Sequence, residues 1–254
     1  MSEDAATLAA AFRGEGPVRS LANTPRTVAE GYALQAAVRE ALGRPVVGFK
    51  VAHAAKQAQR AAGIDAPTVA PLLDGMIVPG ETVFPARAFY APIVEAEIVV
   101  ELDRPLEGPR RKDEIIAALR GCRLGIEVAD TRYVDKDAMG TAAQIGDMNG
   151  GAALVIGPLL ALDTLHELMT AAPSARLGDG TVAPAVPPEG RPSPIEMIAF
   201  LLEFLAERGE GLPAGAIVTT GTHTVPMVSA PGQITVRFGD TMRLGARLSE
   251  PWSA

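Results

Sequence analysis

A single cysteine, Cys122, stands among 254 residues, so no intrachain disulfide can form, which fits a reducing compartment. Histidine is almost as scarce. His53, His166 and His223 are the only three, and none has zinc-ligand spacing. Positive charge is also in deficit: the formal net charge is −7 at pH 7. That argues against non-specific binding to nucleic acid or anionic membranes, which both need a positive field. No stretch reaches the ~18 continuous apolar residues of a membrane span. The N-terminus carries Glu3 and Asp4 where a secretory leader would be basic, and Arg13 interrupts its apolar run. The expectation is a soluble, cytoplasmic protein with no nucleic-acid or membrane partner. P-loop, GxGxxG and GxSxG patterns are lacking, as are internal repeats and low-complexity tracts.

What is present is enough apolar residue, 48% of the chain, to build one large core, alone or with a smaller lobe attached. The 26 glycines and 21 prolines cluster between apolar segments, and the Pro-rich stretch 182–194 predicts a long surface loop. The first sixty-odd residues read as mainly helical. Thr27 and Glu30 have capping-box spacing, and the helix they open runs to Gly43. A short β-type run follows at 46–51. Residues 91–101 give the cleanest strand, with Val94, Ala96, Ile98 and Val100 on one face and Glu95, Glu97, Val99 and Glu101 on the other. A helix is expected over 113–120, then strands over 124–129 and 152–156. Ser193, Pro194 and Glu196 should cap a helix buried on every side from Ile198 to Leu205. Strands over 216–220, 234–238 and 242–248 close a mixed α and β chain.

Glu95 and Glu97, two apart on a strand, leave the same face roughly 7 Å apart, within reach of one cation. Alone, the pair also suits the wet face of an amphipathic strand. Glu127 is different, because it interrupts the apolar run 124–129. A buried carboxylate costs several kcal/mol without a partner. Lys50, Arg123 or Arg132 could supply one, and so could a metal shared with Glu95 and Glu97. Three carboxylates without histidine select a hard ion such as Mg²⁺ or Mn²⁺. The polar segment Thr220-Gly221-Thr222-His223 follows an apolar strand and is either a donor loop for a substrate carboxylate or a plain turn.

Four motifs occur in order: Val47-Gly48-Phe49-Lys50-Val51, Leu72-Leu73-Asp74-Gly75-Met76, Ile93-Val94-Glu95-Ala96-Glu97-Ile98 and Ile126-Glu127-Val128-Ala129-Asp130-Thr131-Arg132. Tyr32, Gln35, Asp147, the run 215–221 and Pro231-Gly232 add to them. Together they resemble the 2-keto-4-pentenoate hydratase and 4-oxalocrotonate decarboxylase group of the fumarylacetoacetate hydrolase superfamily. The resemblance implies an α+β fold, with a helical N-terminal part over 1–75 and a mixed β-roll over 76–254 packed as one unit, and a homo-oligomer. It implies Glu95, Glu97 and Glu127 as ligands of Mg²⁺ or Mn²⁺, Lys50 as the acid–base group and Asp74 as an acid beside it. Leu73, Thr220 and Asp147 fall on pocket positions.

The implied chemistry is hydration of a 2-hydroxy-dienoate to a 4-hydroxy-2-oxo acid in aromatic catabolism. The alternative is decarboxylation of a 2-oxo-dioate such as 4-oxalocrotonate. A C–C bond hydrolase lacks its His–Glu pair here, and a non-catalytic partner subunit would not keep all four metal and lysine positions. Burial beside a cation is expected to lower the Lys50 pKa. The chain departs from the family pattern after Lys50, where Ala52-His53-Ala54 replaces Gly and Ser or Thr, and at Met148-Asn149-Gly150, Thr222-His223-Thr224 and Gln233. His53 therefore either faces solvent or hydrogen-bonds a distal carboxylate or hydroxyl of the substrate.

Overall fold

The capping box at 27–30 forms as its spacing predicts. Thr27 Oγ1 accepts from the Glu30 N–H at 3.2 Å, and a Glu30 carboxylate oxygen accepts from the Thr27 N–H at 3.1 Å. The helix it opens ends at Gly43 in the left-handed conformation (φ 62°). The computed structural model describes residues 2–85 and 88–249. The helices are α1 (Glu3–Phe12), α2 (Val28–Leu42), α3 (Lys56–Ala62), α4 (Lys112–Ala118), α5 (Lys136–Gly146), α6 (Thr164–Thr170) and α7 (Pro194–Ala206). The strands are β1 (Val46–Ala52), β2 (Thr68–Leu73), β3 (Ile77–Pro79), β4 (Val83–Phe84), β5 (Ile93–Leu102), β6 (Leu106–Glu107), β7 (Leu119–Ala129), β8 (Gly151–Ile156), β9 (Pro173–Arg176), β10 (Val182–Ala183), β11 (Gly211–Leu212), β12 (Ile217–Thr222), β13 (Met227–Val228), β14 (Gly232–Phe238) and β15 (Met242–Leu248).

Two sheets make the β-roll. The larger has the order β2-β1-β12-β5-β7-β8-β3, with β13 also paired to β5; the smaller runs β10-β9-β14-β15-β4. The main core lies between them. Val94, Ala96, Ile98 and Val100 of β5 share it with Ile126, Val128, Val236 and Phe238. Burying a side chain such as Phe238 completely contributes about 1.5–3 kcal/mol. A second core joins α1 and α2 to α5 through Leu8, Leu34, Val38 and Ala143. β1 and β2, grouped by the sequence with the helical part, are strands of the large sheet. That sheet curls, and the face of β5 turned away from the core carries Glu95 and Glu97.

Three local expectations change. β7 begins at Leu119, not 124, because its pairing with β5 continues through Cys122 opposite Val100 and Gly121 opposite Glu101 to Leu119 opposite Leu102. Ser193 provides no side-chain cap to α7, and Glu196 pairs with Lys112 at 2.8 Å instead of reaching back. Nor is α7 buried all round: Ile198, Leu201, Leu202 and Leu205 face the roll while Glu203 is exposed.

Candidate metal centre and active site

The register of β5 on β7 sets Glu95 directly opposite Glu127 and Glu97 opposite Gly125. Opposed residues of an antiparallel ladder share a face, so the three carboxylates are forced together. One oxygen of each lies within 4.8 Å of the others. Glu97 and Glu127 are buried, 1% and 4% exposed. Burial, then the charge of Glu127, pushes the Glu95 carboxyl up to about 7 against the pull of Lys50 and Lys136. Glu97 stands well above the ordinary carboxylate range, through burial first and then the charges of Glu127 and Glu95.

Glu127 and Glu97 are held from different directions. Lys50, on β1, reaches across the curled sheet so that Nζ donates to Glu127 Oε1 and, at 3.1 Å, to the Asn149 carbonyl. Glu97 accepts at one oxygen from Thr219 Oγ1 and from the Gly221 N–H, the latter at 2.9 Å. Those two donors converge because β12 slips register between Thr219 and Thr222. Gly221 is needed there. Its φ is 103°, and a Cβ would lie 2.6 Å from that of Ala54.

Burial presses the Lys50 ammonium toward neutrality, but Glu127, Glu95 and Glu97 together outweigh burial, so its pKa is raised. The expected lowering is therefore reversed among the chain's own charges. Three carboxylates gather around one ammonium, so their full ionisation needs more positive charge than Lys50 supplies. This oxygen-only set fits a hard divalent cation held by Glu95, Glu97 and Glu127.

The surrounding cavity, about 310 Å³, is walled by His53, Thr131, Lys136, Asn149 and Thr222 as well as the centre itself. Of the two positions that the sequence left open for His53, the structure shows the one at the cavity wall. Asp147 also reaches it, but its carboxylate is committed: Arg132 Nε donates to Oδ1 at 2.6 Å and the Arg132 N–H to Oδ2 at 2.9 Å. Thr220 faces away, its hydroxyl donating to the Ile98 carbonyl at 2.8 Å. Strand alternation puts its neighbour Thr219 on the site side instead. Leu73 and Asp74 are corrections of a larger kind. β2 runs antiparallel to β1 with Ala70 opposite Lys50 and Leu73 opposite Val46, so both residues lie at the far end of the pair. Leu73 packs in the helical core, and Asp74 is exposed, its carbonyl accepting from Arg44 Nε at 2.8 Å.

Thr219, Asn149 and Asp130 stood in segments that the sequence singled out but were given no role, and Lys136 was not singled out. Asp130 is buried and accepts from the N–H groups of Tyr90 and Ala91 at 2.8 and 2.7 Å, anchoring the entry to β5. It stood in the motif 126–132, as an acidic residue closing an apolar strand, with no role attached to it.

Such a carboxylate triad on a curled sheet defines a fumarylacetoacetate hydrolase-type centre, and the chain belongs to that family: residues 24–249 match the fumarylacetoacetate (FAA) hydrolase C-terminal model. Within it, the chain is 31% identical over 235 residues to a 4-oxalocrotonate decarboxylase of Pseudomonas putida, covering 87% of this chain and 85% of that one. It is 28% identical over 198 residues to a 2-keto-4-pentenoate hydratase of Burkholderia vietnamiensis, covering 76% and 73%. A solved 4-oxalocrotonate decarboxylase from Pseudomonas putida G7, complexed with magnesium and adipate, superposes with a TM-score of 0.81 at 27% identity, covering 97% of this chain and 98% of that one. The same enzyme has been solved with calcium and acetate. These relatives are enzymes, a decarboxylase or a hydratase. Among the described residues, no helix is long and apolar enough to cross a membrane.

Proposed function

We propose that this chain is a divalent-metal-dependent lyase of small 2-oxo acids, hydrating a 2-hydroxy-dienoate of the 2-keto-4-pentenoate kind to a 4-hydroxy-2-oxo acid, in the breakdown of aromatic compounds. The observation that carries the reading is the enclosure of Glu95, Glu97, Glu127 and Lys50 in one cavity. A magnesium or manganese ion on the three carboxylates supplies Lewis-acid charge beside the carboxylate and C2 oxygen of a bound 2-oxo acid. Thr219 and Gly221 hold Glu97 in place from β12. Lys50, fixed between Glu127 and the Asn149 carbonyl, holds the proton that moves between the dienol oxygen and the carbon chain. Small side chains, among them Ala52, Ala54 and Ala129, leave room for a planar acid and a water molecule.

Decarboxylation of a 4-oxalocrotonate-like acid is the second reading, favoured by the identity and coverage of the decarboxylase relatives. In that case the same electron sink takes the pair left by departing CO₂. Assaying 2-hydroxypenta-2,4-dienoate and 4-oxalocrotonate side by side, with Mg²⁺ and with EDTA, tests both. Metal-dependent turnover of the dienoate without CO₂ supports the hydratase; CO₂ release from 4-oxalocrotonate as the dominant reaction overturns it. Turnover of neither acid refutes the whole assignment.

A further inference from the structure

His53 occupies the left-handed region (φ 51°), uncommon for a residue other than glycine although histidine is one of those that enter it more often. Gln59, 2% exposed, holds it there, its Nε2 donating to the His53 carbonyl at 2.9 Å. Backbone strain kept in place by a buried amide beside a cavity points to a function for the side chain. The ring is oriented as well. His53 Nδ1 lies 2.8 Å from Thr68 Oγ1, and the Thr68 hydroxyl donates to Asn149 Oδ1 at 3.2 Å. Thr68 has one hydroxyl proton, and Asn149 receives it. Toward His53 the hydroxyl offers only lone pairs, so Nδ1 carries the imidazole hydrogen and Nε2 is left as a bare acceptor. Burial and the Lys50 charge hold the ring neutral.

Nε2 has no hydrogen-bond partner among the described residues. At the other end of the chain of bonds, Asn149 Nδ2 is buried and also lacks a partner. Asn149, too, sits in the left-handed region (φ 50°) and lines the cavity. The network thus leaves one unspent acceptor and one unspent donor. A water molecule or a hydroxyl satisfies both, whereas a carboxylate, which only accepts, satisfies the donor alone. The expected contact of His53 with a distal carboxylate is therefore disfavoured by its tautomer.

We propose that His53 is a catalytic residue that takes the proton of the water added to the substrate, with Asn149 Nδ2 holding that water's oxygen. The step rests on the hydration reading above. As the water oxygen bonds to C4 of the unsaturated 2-oxo acid, one O–H bond breaks and its proton passes to Nε2. The C3–C4 π pair moves to C2–C3, and the C2 oxygen takes the negative charge. Lys50 then protonates C3, and the imidazolium returns a proton to Lys50 through solvent, so the net change is one water added across C3–C4. This places the function on Ala52-His53-Ala54, where the chain departs from its family's pattern.

His53→Asn tests it, because the shorter amide keeps a donor toward Thr68 and removes Nε2. Water addition to the dienoate should fall about 10²-fold, while ketonisation of the dienol, the work of Lys50, falls no more than about threefold, so the unsaturated 2-oxo acid accumulates. Thr68→Val, which frees the tautomer, should slow water addition about tenfold with ketonisation again spared. Nitrogen-15 NMR of the parent protein at neutral pH should show His53 protonated at Nδ1 and bare at Nε2. A folded His53→Asn protein that hydrates at the parent rate, or loses ketonisation equally, overturns the proposal; so does an Nε2–H tautomer. A parent protein that ketonises and decarboxylates but never hydrates refutes the hydration reading, and this step with it, whatever the tautomer.

Discussion

Glu95 and Glu127 face each other across adjacent antiparallel strands, two carboxylates in a position where like charges oppose folding. With Glu97 beside them the arrangement is costly for the bare protein and favourable once a cation is shared. The Glu95 carboxyl, near pH 7, and that of Glu97, well above its ordinary value, carry protons that a metal must displace.

Magnesium binding should therefore release protons at neutral pH, and affinity should fall about tenfold per pH unit below 7 for each proton displaced. The sign follows from the raised carboxyls: a folded state that binds protons more tightly than the unfolded chain loses stability as pH rises, and the metal offsets that loss. The Mg²⁺-dependent gain in unfolding free energy should thus grow from pH 5 to pH 8. Titration calorimetry in buffers of different ionisation enthalpy, with denaturation curves in Mg²⁺ and in EDTA, checks both. A gain independent of pH would remove Glu95 and Glu97 from the metal's ligand set.

Lys50→Met keeps most of the side-chain volume and removes the ammonium that shares Glu127 with the cation. Turnover should drop about 10²-fold or more, as for a lost acid–base group. Mg²⁺ should bind at least as tightly, because a competing positive charge is gone. Near-parental kcat in the folded variant would take Lys50 out of the chemistry.

Asp147→Ala should act on stability. It strips Arg132, 3% exposed, of its partner and leaves a buried guanidinium uncompensated, at a cost of about 3–5 kcal/mol. Chemical denaturation reads the loss directly. A variant of parental stability with a raised KM would return Asp147 to the substrate-binding role that its sequence position suggested.

His223 is fully buried with neither ring nitrogen partnered among the described residues, its ring edge-on to Phe238 at 5.7 Å. Burial, with Arg191 adding to it, pushes its pKa down to about 4. The unfolded chain takes up this proton first, near pH 6.5, so stability is intact above that value and drains away as pH falls toward 4, by on the order of 3 kcal/mol. His223→Leu should flatten that acid limb and be at least as stable at neutral pH, since two unsatisfied nitrogens are removed. An unchanged acid limb in denaturation curves at several pH values would contradict this.

Much of the centre was legible because strand alternation separates core from site. In β5 the core face is all apolar, so Glu95 and Glu97 stood out, and Glu127 stood out by interrupting an apolar run. Lys50 stood among three possible partners for Glu127, and only the family resemblance gave it an acid–base role, since nothing in a short strand marks which lysine crosses a curled sheet. Thr219 and Thr220 differ by one residue, and choosing the site-facing one required the register slip at Gly221, which only the paired strand sets. Asp74 was misplaced for a related reason: it was expected beside Lys50, but the antiparallel register of β2 on β1 carries it away. The α7 cap failed because Glu196 found Lys112, a partner distant in sequence.

The parallel pairing of β1 with β12 joins Gly48 to Ile217 and Lys50 to Thr219, with most of the polypeptide between them. Closing so long a loop has a large entropic cost, and non-local pairings of this sort form slowly. On a ribosome, β1 emerges early and waits for β12, which is also the strand that supplies Thr219 and Gly221 to Glu97. The donors around the carboxylates are therefore completed only once β12 has been made, and a chain cut short before β12 carries all three glutamates yet lacks the strand that orders them.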